Sequence, residues 1–170
     1  MQAKRFRPGF PGAALALGAL LALFTAVAPV PTAAQTGAPF RHVILFWGNT
    51  NVPSDPNNPF GLAPVLVFSD RVDIAAYALE QYFKGPPPEV AATGFYADVD
   101  TGPITDGKVF TLALDGDAAT VDIVQPVTFF GDLSQGRLVT AITWTLTQFS
   151  PIDRVVVLLN GQPLSGSRGR

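Results

Sequence analysis

The chain has 170 residues, with 11 Lys and Arg against 13 Asp and Glu, 14% charged and 48% apolar residues, a balance that excludes a disordered, solvating polypeptide. It has no cysteine and a single histidine, so disulfide frameworks, thiolate zinc sites, thiol nucleophiles and poly-His metal centres are excluded, and one imidazole base at most remains.

Lys4, Arg5 and Arg7 precede an uncharged apolar stretch, GAALALGALLALFTAVAPV, which runs into the small residues PTAAQ. Basic, apolar, then small is the order of a secretory signal peptide. The reading is a leader over residues 1–34, cleaved after Ala34, with Ala28 and Ala33 as alternative cleavage points. A retained N-terminal membrane anchor is the other reading, because the apolar stretch is just long enough to span a bilayer. Pro29, Pro31 and the excess of Ala over Leu favour cleavage, and no Cys exists for a lipid anchor. The expected location is secreted or extracytoplasmic, with membrane contact only through an uncleaved leader. Without the leader, 8 basic and 13 acidic residues give a net charge of −5. No basic face is evident, which argues against nucleic acid as a partner.

A polar lead-in occupies residues 35–39. Residues 40–47, FRHVILFW, predict a first strand. Residues 48–61, GNTNVPSDPNNPFG, are dense in turn formers and predict a long surface loop. Residues 64–69 predict a second strand. Residues 73–84 predict a helix with Asp73 as its cap and Ala75, Ala78, Leu79, Tyr82 and Phe83 on its apolar face. Gly85 is expected to end it in a left-handed conformation, and Pro86, Pro87 and Pro88 forbid continuation. One further helical turn fits residues 88–94, and residues 95–106 read as an irregular link. Residues 108–114 and 118–124 alternate and flank Asp115-Gly116-Asp117, which predicts a hairpin. Residues 126–133 read as a loop holding Phe129 and Phe130. Residues 134–149 predict a second helix, capped by Ser134 and striped by Leu138, Ile142, Leu146 and Phe149. Its four Thr leave a strand over residues 138–147 as the alternative. Residues 153–159 predict a last strand, Asn160-Gly161 a tight turn and residues 162–164 a short return. Residues 165–170 form a polar tail. The expected class is α+β: one mixed sheet of about five strands with two helices packed on it, in the order β-β-α-(turn)-β-β-α-β.

The segments ALEQYFKGPPPEVAATGFY, LDGDAATVDI and TAITWTLTQFSPIDRVVVLLNGQPL together resemble the GerMN domain, the sporulation and spore germination domain. The matching positions are Leu79 through Gly85-Pro86, then Glu89 and Gly94, then Gly116 to Val121-Asp122. They continue with Thr145-Leu146-Thr147, Phe149, Ile152, Val155, Leu158, Gly161 and Pro163. The likeness spans residues 40–164 in one copy. It implies a small extracytoplasmic module, similar to the ring-building folds of secretion and sporulation channels. It also implies a binding or scaffolding role in the cell envelope, linked to sporulation or germination. The partner would be an envelope protein or a cell-wall component. The resemblance brings no catalytic residue and no cofactor.

The residues themselves offer little chemistry. His42 lies in a predicted strand, with no G-x-S-x-G turn to present a nucleophile, so a secreted hydrolase is the weaker alternative. Asp98, Asp100 and Asp106 faintly suggest a Ca²⁺ loop. The position that would need Glu is Val109, and Asx turns explain the three acids equally well. No catalytic, cofactor or metal residue is assigned. A partner surface is expected from Trp47, Phe60, Phe129 and Phe130, the aromatic residues in or beside loops. Self-assembly follows only from the likeness to ring-building folds.

Overall fold

A computed structural model describes residues 40–102, 108–124, 126–131 and 133–164. The predicted leader at 1–34, the lead-in at 35–39, Asp106 and the tail at 165–170 lie outside these residues. All of the described residues belong to one compact unit.

The first strand, β1 (Arg41–Asn49), pairs antiparallel with β2 (Leu62–Ser69), from Arg41 opposite Ser69 to Gly48 opposite Leu62. Strand side chains alternate between faces, so Val43, Leu45 and Trp47 enter the core while His42 and Ile44 face outward. The long loop between the strands is held by its own side chains. Asp55 Oδ1 accepts the Asn57 and Asn58 amides at 2.7 and 2.9 Å. The Asn58 side chain then bonds both backbone groups of Leu62, at 2.9 and 2.8 Å.

Helix α1 (Ile74–Lys84) buries Ala75, Ala78, Leu79, Tyr82 and Phe83, the expected stripe. Asp73 does not cap it through its side chain; its carboxylate pairs with Arg71, which also holds Glu80. The charged partner outcompetes the free helix amides. Gly85 ends the helix at φ 77° and ψ 173°. That is a region open essentially to glycine alone, but not the left-handed helical one expected. A short α2 (Pro88–Ala91) follows.

The expected irregular link and loop each contain a short strand. β3 (Phe95–Tyr96) pairs with β1, and β4 (Val99–Asp100) pairs with β7 (Thr128–Phe129). β5 (Phe110–Asp115) and β6 (Ala118–Ile123) form the predicted hairpin, with Gly116 at φ 58° in its two-residue turn.

Helix α3 (Ser134–Leu146) buries Leu138, Ala141, Ile142, Thr145 and Leu146, which excludes the strand reading of 138–147. The threonines are accommodated because Thr143 and Thr147 hydroxyls donate to carbonyls one turn back, at 2.7 and 2.9 Å. Ser134 is the first helical residue, not the cap, and its hydroxyl makes no capping bond. β8 (Arg154–Leu159) then lies parallel to β6 and antiparallel to β9 (Gln162–Pro163). The unit β6–α3–β8 is thus a helical crossover between parallel strands. Asn160 and Gly161 both take positive φ, 49° and 76°, as a two-residue turn of this hand requires.

The α+β class holds. The expected single mixed sheet of about five strands divides into three sheets among the described residues: β2-β1-β3, β4-β7 and β5-β6-β8-β9. One cause is visible at Ile44. Its N–H donates to Gln148 Oε1 at 2.8 Å and its carbonyl accepts Gln148 Nε2 at 2.7 Å. A side-chain amide therefore occupies the β1 edge where another strand would pair. Helices α1 and α3 both pack on β1, and α3 packs on β8, so one core joins the sheets.

Candidate partner surface

The four residues predicted to form a partner surface do not make one exposed patch. Trp47 is 1% exposed, inside the core. Its parity in β1 is that of Val43 and Leu45, and its indole Nε1–H donates to the Tyr82 carbonyl at 3.3 Å. It is therefore structural, a correction to the expected surface role. Phe60 is half-buried against Gly136 on α3. A Cβ at Gly136 would sit 2.8 Å from the Phe60 ring, so this close approach requires glycine. Phe129 is half-buried on β7, and only Phe130 is well exposed, at 59%.

His42 is exposed on β1 with its ring edge-on to Phe68 at 5.0 Å. No carboxylate pairs with it among the described residues. Asp98 is neither a loop ligand nor a turn former. It is buried, and Arg137 donates to its Oδ1 at 2.8 Å. Burial pushes its carboxyl above the ordinary aspartate range, against the opposing pull of Arg137. Asp100 does form the expected turn, accepting the Gly102 amide at 2.8 Å. Among the described residues no cluster of three His, Asp or Glu could hold a metal ion.

Arg137 ties distant segments together. Its Nε donates to the Phe60 carbonyl at 3.0 Å, and its guanidinium lies 5.2 Å over the Tyr96 ring. The Tyr82 hydroxyl and Asp98 Oδ2 are buried nearby without a protein hydrogen-bond partner. Tyr82 is raised well above an ordinary phenol by burial and, secondarily, by the Asp98 charge. At the surface, Arg154 pairs with Asp117 at 2.6 Å, and this bond holds the Asp117 carboxyl below its usual range.

An exposed apolar surface lies elsewhere, on the outer face of the β1–β2 ribbon. Register sets His42 opposite Phe68 and Ile44 opposite Leu66. Ile44 is 37%, Leu66 52% and Phe68 56% exposed, with Phe40 and Val72 just beyond the strand ends more exposed still. Trp144 closes one margin by packing edge-on to Phe46 at 5.3 Å. Sequence reasoning missed this face although the signal was present: FRHVILFW and PVLVFS are apolar at both parities. Such strands are either covered on two faces or leave one for a partner.

The profile of the sporulation and spore germination family matches residues 46–165. The spore germination protein GerM of Bacillus subtilis (strain 168) is 33% identical over 110 residues, which are 63% of this chain and 28% of that protein. The chain therefore spans little more than a quarter of the curated relative it matches. Among solved structures, the first GerMN domain of the sporulation protein GerM from Bacillus subtilis superposes with a TM-score of 0.50 at 23% identity. That superposition covers 76% of this chain and 93% of that one. The tandem GerMN domains of the same protein give 0.49 at 22% identity, covering 76% and 44%.

Proposed function

The chain belongs to the sporulation and spore germination family, and from that premise we propose that it is an exported, non-catalytic binding module of the cell envelope whose outer β1–β2 face docks another protein. The observation that carries the reading is the exposed cross-strand pair Ile44–Leu66 flanked by His42–Phe68. A face of aliphatic and aromatic side chains suits an apolar protein surface better than a glycan, which needs hydrogen-bonding groups. Docking is face-on. The backbone edges beside this face are already engaged at Ile44 by Gln148, at Leu62 by Asn58 and at the Phe68 carbonyl by the Tyr77 hydroxyl. Export rests on the leader predicted over residues 1–34, and the link to sporulation or germination rests on the family. Binding, in place of chemistry, is supported by His42, whose described neighbours supply an aromatic ring and no carboxylate.

A strain lacking the chain tests this reading. His42→Ala is expected to restore the wild-type phenotype fully. The double variant Leu66→Lys/Phe68→Lys is expected to accumulate to the same level and fail, because both positions are exposed and carry little folding energy. Loss of function with His42→Ala, or full function with two lysines on the face, overturns it.

A further inference from the structure

We propose that two copies of this chain pair antiparallel through the outer edge of β5, forming a closed two-fold dimer by a surface separate from the β1–β2 face. Among the described residues, β5 ends the four-stranded sheet and pairs with β6 alone. Val124 N–H donates to the Val109 carbonyl at 2.9 Å, which sets the alternation of the ladder. Phe110, Leu112 and Leu114 consequently direct their N–H and C=O groups away from β6. The edges of β1 and β2 are clamped by side-chain amides, whereas no described side chain bonds these groups of β5. Such an edge is a template for another strand.

What sits beside the edge selects the occupant. Between helix α1 and β5 lies a groove of about 640 Å³ lined by Ala76, Phe83, Phe110 and Leu112, with the charged Glu80, Lys84 and Lys108 beside them. Leu114, on the same face of the strand as Phe110 and Leu112, is 58% exposed. When two β5 strands pair about Leu112, Phe110 of each copy lies opposite Leu114 of the other. Leu114 then fills the groove of its partner, twice over. The same groove sets the direction: antiparallel pairing places Leu114 of each copy beside the groove of the other, whereas a parallel pair in register would set Leu114 beside Leu114, outside the residues that line either groove. The two-fold closes the assembly, since each copy's edge is consumed by the other.

Sedimentation velocity of the purified protein over rising concentration tests the proposal. The wild type is expected to move from monomer to dimer, and Leu114→Lys to stay monomeric at the same concentrations. Leu114 is 58% exposed, so its replacement leaves the core intact, and circular dichroism of the variant confirms the fold. A wild type that remains monomeric at about 1 mM overturns the proposal, as it would if the edge served only a segment of a different protein. A dimer indifferent to Leu114→Lys overturns it equally.

Discussion

Arg137→Ala is expected to lower the unfolding free energy at neutral pH by about 3–5 kcal/mol, the cost of removing one member of a buried ion pair. Asp98 has no exposed side-chain surface and Arg137 little, so the stranded carboxylate has no water to turn to. Two other attachments go with the guanidinium, the Phe60 carbonyl and the Tyr96 ring, and through the first of them the docking of the long loop on α3. Protonation gives the variant an escape. The Asp98 carboxyl is already raised by burial, and without Arg137 it rises further. A carboxyl raised in the folded state contributes stability that is present below the ordinary aspartate value and is lost as pH climbs through the folded one. The destabilisation should therefore be largest near neutrality and shrink toward pH 4, where the stranded acid takes up a proton. Urea unfolding of both proteins at several pH values measures this. A loss that is independent of pH would show that the pair is not the cause.

Trp47→Ala is expected to cost about 3–5 kcal/mol, the range for emptying a buried aromatic position. The side chain is among the largest fully buried ones, and its indole N–H shares the Tyr82 carbonyl with the Gly85 amide. It thereby joins β1 to the end of α1. Trp47→Phe, which keeps most of the volume and removes that bond, should cost only about 1–2 kcal/mol. Denaturant unfolding reads both. Near-neutral stability in Trp47→Ala would return this residue to the surface role its position beside the loop first suggested.

Local physics was legible in the chain. The spacing of Ala75, Leu79 and Phe83, closed by Gly85 and three prolines, specifies α1 almost to the residue, because helix period and backbone chemistry act within a few positions. The hairpin at Gly116 and the turn at Asn160-Gly161 are legible for the same reason. Long-range features were not. Asp98 looks like a turn former until Arg137, 39 residues away, supplies its partner. Gln148 reaches the β1 edge at Ile44 across 104 positions, and no local pattern encodes that. Trp47 is a different case. Parity with Val43 and Leu45 already placed it inward, but proximity to a loop of turn formers drew the reading outward. The same parity argument, applied to the even positions of β1, reveals the apolar outer face.

That face is the centre of the account, and site-specific photo-crosslinking in living cells tests it most directly. A photoreactive residue replaces Leu66 or Phe68 on the β1–β2 face, or Glu89 on α2, which is exposed on another element. The expected result is a discrete protein adduct from positions 66 and 68 and none from position 89. Equal labelling at all three positions, or no adduct from the face at all, would contradict the assignment of that face to a protein partner.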